Sequence, residues 1–372
     1  MMLLLAVLST WFTLVCLEPV NFCRDAKDCQ TCAESFTHVL GFREHCRWCV
    51  EANLCVGPLS CPIGKAVVQR DPFRCPVKYT PAKGKRYTDE LGRSVYAFIL
   101  ALKAENVTAC LTNVRPDISY VRTFTVDCDS SGNKCSGMLA VSQEAKSIYL
   151  VFKDTATKQQ LTSELVNGLG AQLGAWEKFE SEKSGVVSYF HTAFYKTFID
   201  SNMKTHLVEL VKKYPGYRIW MTGYSLGGSL ASMTAVYLAK KEIVDKKLLR
   251  LLTFGEPRTG NVAFAKDVEE NISFRFRVVK KNDFISSIPR SVDPATSLIT
   301  ATNFERQPLF YRYLVHYNNN MKKGDKFKIC ELSDDYGCRN TNLAFDMNDH
   351  NSYFNVDTDQ FIEGRCPRGM LF

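Results

Sequence analysis

The stretch Trp220-Met221-Thr222-Gly223-Tyr224-Ser225-Leu226-Gly227-Gly228 constrains the chain more than any other. An apolar run that reads as a strand over 217–222 passes, across one serine set between glycines, into a run that reads as a helix over 226–244. A strand that turns straight into a helix needs small residues beside the turn, and the residue at its apex takes a strained backbone conformation. Such a turn pushes the Ser225 hydroxyl out into a site. The bland alternative is a glycine-rich turn that only packs.

The surrounding pattern alternates strand and helix. Ser147–Phe152 is a short, nearly continuous apolar run, as a buried strand requires. Residues 187–214 place Phe190, Phe194, Phe198, Met203, Leu207 and Leu210 close to one helical face, and Pro215-Gly216 ends them. Residues 248–254 and Phe274–Lys280 read as further strands. This order predicts an α/β fold with a largely parallel sheet and helices packed on it.

The two ends of the chain have different physics. Residues 3–17 are apolar but shorter than the roughly 20 residues of a membrane span, so 1–20 reads as a cleavable signal peptide and the mature protein as secreted. Of fifteen cysteines, Cys16 falls in that leader and an even number follow, which suits an oxidising compartment. Cysteines crowd into 21–78, a stretch with few large aliphatic residues that needs cross-links to hold a shape. Zinc is the competing reading for the pairs Cys29/Cys32 and Cys46/Cys49. Residues 79–86 have linker composition, and 87–372 form the main domain. Asn106 and Asn271 each open a glycosylation acceptor triplet. The net charge of +8 is spread over scattered lysine pairs, which argues against nucleic acid and leaves attraction to anionic interfaces open.

A serine hydroxyl needs a base to take its proton and a carboxylate to orient that base. In α/β-sheet hydrolases the chain order is Ser, then Asp or Glu, then His. Only His316 and His350 follow Ser225. His350 lies in a polar, loop-like stretch, whereas His316 lies in an apolar strand pattern, where a satisfied core histidine is the usual occupant. Asp283 stands just past the run 274–280, at the strand edge where sites collect. Asp293, before a proline, is the other candidate and has a structural reason to be there.

These residues together resemble the fungal-type class 3 lipases. The resemblance is carried by 223–228, by Gly255-Glu256-Pro257-Arg258-Thr259-Gly260-Asn261, by Asn282-Asp283 with Ile288-Pro289, and by Asp349-His350 with Tyr353-Phe354, in the family's order. It implies an α/β-hydrolase fold with Ser225 as nucleophile, Asp283 as acid and His350 as base. It also implies an oxyanion hole from Thr155 and the Leu226 N–H, with Asp154 where the family has glycine, a potential negative charge beside the developing one. The place of the family's lid helix is taken by the segment after Thr155, in which Leu161, Leu165, Leu169 and Leu173 recur every four residues. The family's cysteine habit implies Cys110 with Cys366, Cys128 with Cys135 and Cys330 with Cys338. Separately, the cysteine spacing with Cys46-Arg47-Trp48-Cys49 resembles the plexin-semaphorin-integrin (PSI) module, a small disulfide knot whose partner the resemblance does not name.

The expectation is a secreted carboxylester hydrolase, foremost a triacylglycerol lipase, that needs no metal or organic cofactor. Its partners are a lipid or other ester substrate and a membrane or lipid-droplet interface. A phospholipase, a cell-wall aromatic esterase and a catalytically idle extracellular binding protein are the rivals.

Overall fold

The structure is a computed structural model in which the described residues are 23–58, 60–61, 67–68, 71–82, 84–129, 132–153, 176–289, 307–335, 338–339 and 346–372. The signal-peptide segment 1–20, Asp154, Thr155, the lid leucines and Asp293 lie outside them. The chain divides into two compact units, Met1–Cys75 and Pro76–Phe372.

In the first unit every cysteine from Cys23 to Cys75 is in a disulfide: Cys23–Cys46, Cys29–Cys75, Cys32–Cys55 and Cys49–Cys61. Each C-x-x-C pair is therefore split between two bonds, which removes the thiolates that zinc would require. The bonds gather a short helix, Cys29–Glu34, and a small sheet whose middle strand, Arg47–Cys49, carries the buried Trp48. A separate hairpin pairs Phe36–Val39 with Phe42–His45.

The second unit is built on one eight-stranded sheet. Its strands are β1 (Ile118–Asp127), β2 (Lys134–Ser142), β3 (Ser147–Phe152), β4 (Arg218–Tyr224), β5 (Leu249–Phe254), β6 (Phe274–Lys280), β7 (Leu314–Tyr317) and β8 (Lys328–Cys330). They lie side by side in chain order. Strands β3 to β7 run parallel, and the pairs at either edge are antiparallel. Parallel neighbours need crossovers that cover the sheet, so the central strands are buried along nearly their whole length.

Helix α1 (Asp89–Ala101) packs on one face, in a core with Tyr149, Val151, Trp220, Leu252, Phe254 and Phe276. Thr88 starts it by accepting the Leu91 N–H at 3.1 Å. The alternate residues of the same strands point the other way. That leaves them for α2 (Leu226–Lys240), which is buried at every position from Leu226 to Ala239. The disulfides Cys110–Cys366, Cys128–Cys135 and Cys330–Cys338 are present, and the first ties the chain's end to the start of this unit.

Two stretches depart from their sequence reading. The apolar stripe over 187–214 belongs to two helices, because after a π-turned segment, Tyr195–Asp200, the backbone breaks at Asn202 with φ +65°. Ser201 makes the break favourable: its hydroxyl donates to the Thr197 carbonyl and accepts the Met203 N–H at 3.2 Å. Residues 79–86 include Tyr79, whose N–H donates to Glu331 Oε1 at 2.7 Å and whose ring meets Phe276 and Tyr313 edge-on. Tyr79 thus anchors this stretch on the second unit. The two glycosylation triplets also differ, since Asn106 is exposed while Asn271 is buried, its side-chain amide donating to the Asp267 carbonyl at 2.7 Å.

Candidate active site

The junction of β4 and α2 puts Ser225 at φ +57°, ψ −129°, a conformation that costs a non-glycine residue stability. Two close approaches explain the glycines. A Cβ on Gly223 would lie 2.0 Å from the Gly227 carbonyl oxygen, and one on Gly227 would lie 2.3 Å from that of Phe152. The end of β3 therefore passes directly over the start of α2. Leu226 is the first residue of that helix, where the backbone N–H has no partner inside the helix. The Ser225 hydroxyl is buried and has no hydrogen-bond partner among the described residues.

Asp283 and His350 come together from loops far apart in the chain. Asp283 follows β6 in a turn whose backbone pairs with Asp346, and Phe284 N–H donates to the Asp346 carbonyl at 3.2 Å. That pairing draws the segment carrying His350 to the carboxyl edge of the sheet. His350 Nδ1 lies 2.8 Å from Asp283 Oδ2. The imidazole stacks on Tyr224, the residue before the elbow serine, with ring centroids 4.7 Å apart and planes 15° apart. His316 instead sits in β7 with its Nε2 3.0 Å from the Lys281 carbonyl oxygen, a core arrangement.

The carboxylate is heavily held. Tyr353 OH donates to Asp283 Oδ2 at 2.6 Å, and Ser286 N–H donates to Oδ1 at 3.3 Å. Arg339 donates to the Asp283 carbonyl at 2.9 Å and to the Ser286 hydroxyl at 2.7 Å. Burial alone raises the Asp283 pKa, but the His350 charge, the His350 and Tyr353 hydrogen bonds and the Arg339 charge outweigh it and hold the acid below the usual carboxylate range. Burial, and then the Asp283 charge, push the Tyr353 phenol well up, so it stays a donor.

The sign of the pH effect follows. A carboxyl depressed on folding contributes stability above its unfolded pKa, near 4, and loses it as pH falls through the folded value. Urea midpoints measured downward from about pH 6 should therefore fall more steeply in the parent than in Asp283→Asn through the window below about pH 4. Parallel curves would show that Asp283 is not depressed.

Gly255 makes the pairing sterically possible. It sits at φ +55°, and a Cβ there would come 2.9 Å from His350 Cε1 and 3.0 Å from Asp283 Oδ2. Behind it, the fully buried Glu256 accepts from Thr253 Oγ1 at 2.6 Å, Tyr311 OH at 2.7 Å and Thr259 Oγ1 at 2.9 Å. Arg258, also fully buried, pairs with Asp334 at 2.6 Å and donates to the carbonyls of Ser287 and Pro289. The Gly-Glu-Pro-Arg stretch thus braces the acid loop from beneath.

Residues 149–292 match the class 3 lipase family. The matched stretch lies within the larger unit and takes in the elbow and Asp283. A Caenorhabditis elegans protein named Lipase ZK262.3 is 27% identical over 316 residues, covering 77% of this chain and 85% of that one. The Rhizopus niveus lipase is 27% identical over 217 residues, which cover 57% of this chain and 52% of the lipase, so this chain spans about half of that relative. The solved Rhizomucor miehei triacylglyceride lipase superposes with a TM-score of 0.55 at 21% identity, over 73% of this chain and 97% of that one, which establishes a shared fold.

Three side chains at this candidate site carry no role in the sequence reading: Tyr224, Tyr353 and Arg339. Tyr353 had a usable signal, since it stands three residues after the candidate base within the family stretch. Arg339 had none, because it reaches Asp283 from 56 residues away.

Proposed function

We propose that the protein is a secreted serine carboxylester hydrolase, foremost a triacylglycerol lipase, in which Ser225, His350 and Asp283 act in sequence. The reading is carried by one observation: a histidine tied through Nδ1 to a buried carboxylate lies stacked on the residue before a strained serine whose hydroxyl has no partner among the described residues. His350 takes the Ser225 proton as Oγ attacks the ester carbonyl. The resulting oxyanion is held by the Leu226 N–H and, on this reading, by Thr155. Collapse expels the alcohol, which receives the proton back from His350, and leaves an acyl-enzyme. Water, deprotonated by the same histidine, releases the acid and restores Ser225.

The names of the relatives support the glyceride substrate, among them secreted mono- and diacylglycerol lipases of Fusarium solani and Malassezia restricta. The 1–20 leader and the disulfides support secretion. The first unit is a PSI-like module on this reading, supported by its disulfide knot and its buried Trp48 beside Cys49.

A fluorophosphonate probe together with a substrate panel tests the proposal. The parent should label covalently and hydrolyse a short soluble ester and a triglyceride emulsion faster than a phospholipid. Absence of labelling would sink the enzymatic reading in favour of a binding scaffold. Preferred turnover of phospholipid would keep the chemistry and replace the substrate.

A further inference from the structure

The first unit carries an apolar knob with no role in its own fold. In the hairpin of residues 36–45, Leu40 is 93% exposed, Phe42 73% and Val39 40%. Nowhere else among the described residues do three exposed large apolar side chains fall within four consecutive positions. Val39 and Phe42 are cross-strand partners and so share a face, and Leu40 occupies the turn beyond them.

Leu40 is also the wrong residue for that turn by backbone criteria. Leu40 and Gly41 have φ of +52° and +83°, the two-residue hairpin geometry that favours Asn-Gly or Asp-Gly. A leucine here loses stability both by its left-handed backbone and by exposing its side chain to water. Fold stability therefore does not account for it.

We propose that the tip of this hairpin enters the surface of a lipid aggregate and anchors the protein there, an inference that rests on the lipase reading above. Three side chains fanned from a tight turn form a convex point, far short of the roughly 800 Å² per partner of a stable protein interface, which argues against a second copy of the chain. An acyl layer takes such a point without a matching pocket. The flanking charge fits as well. Next to the tip, His38 and Arg43 are cross-strand partners on the face opposite Val39 and Phe42, while the hairpin's one carboxylate, Glu44, pairs with Thr37 a step further from the turn. Arg43 lies over the Phe36 ring at 3.6 Å, a placement from which its guanidinium meets headgroup phosphates while Phe42 and Leu40 sit deeper.

The test uses the full chain as Ser225→Ala, so that no lipid is consumed, floated with vesicles of phosphatidylcholine or of phosphatidylcholine with phosphatidylglycerol. Leu40→Asn suits the turn better than leucine, so it should keep or raise the melting temperature while lowering vesicle partition several-fold. Leu40→Asn with Phe42→Ser should lower it tenfold or more on both vesicles, and Arg43→Gln only on the anionic ones. A parent that does not float, or a double variant that floats as well as the parent, overturns the proposal. Hydrolysis of a soluble ester, with Ser225 restored, reads the lipase chemistry separately. Loss of flotation in the double variant with that hydrolysis intact assigns the tip to anchoring alone, whereas flotation without any hydrolysis in the parent would refute the lipase reading and leave the anchor standing.

Discussion

Ser225→Ala is expected to lower kcat on a short soluble ester by about 10⁶-fold, the loss seen when a serine hydrolase is stripped of its nucleophile alone. The size follows from the geometry, because the elbow aims the Ser225 hydroxyl, which is the attacking atom of the proposed reaction. The variant should remain folded. Alanine tolerates φ +57° no worse than serine does, and removing a buried hydroxyl that has no partner among the described residues relieves a desolvation cost of about 1–3 kcal/mol. The melting temperature should therefore hold or rise while activity disappears. Unchanged turnover would mean that Ser225 takes no part in the chemistry. Lost turnover with a collapsed melting temperature would mean that the serine supports the fold.

Much of this arrangement was legible in the sequence, and the reason is local. A strand, a glycine-flanked serine and a helix are neighbours in the chain, so the strain at Ser225 and the close approaches of Gly223 and Gly227 leave a mark on residue type. The parallel sheet was legible for the same reason, since Ser147–Phe152 and Phe274–Lys280 are strands over the ranges their apolar runs mark. What the sequence hid depends on distance along the chain. Nothing in the run after Cys338 announces that Arg339 will brace the Asp283 loop, and nothing near Tyr224 announces that its ring will carry His350. The break at Asn202 was hidden differently, for the apolar stripe continues through it. Only the competition of the Ser201 hydroxyl for backbone partners, in its bonds with Thr197 and Met203, interrupts the helix.

Asp283→Asn should lower kcat by about 10⁴-fold with KM little changed, the loss expected when a triad carboxylate becomes an amide. The hydrogen bonds around Asp283 explain why the amide cannot substitute. Oδ2 faces His350 Nδ1 at 2.8 Å and the Tyr353 phenol at 2.6 Å, and Oδ1 faces the Ser286 N–H at 3.3 Å. The phenol and the backbone amide donate, and the imidazole must also donate if its Nε2 is to accept the serine proton, so both oxygens have to accept. Asparagine offers one acceptor and one donor. With its oxygen toward His350 and Tyr353, its NH₂ opposes the Ser286 N–H. Turned over, its NH₂ meets the imidazole and the phenol, and His350 is driven to the tautomer that carries the proton on Nε2. In that tautomer it cannot take the Ser225 proton. Nucleophile and oxyanion donors are untouched in either orientation, so substrate binding survives and the deficit falls on kcat. An Asp283→Asn enzyme within tenfold of the parent would show that the carboxylate holds the loop without orienting His350. Asp283→Glu discriminates further, because a displaced carboxylate keeps both acceptors and should recover part of the loss.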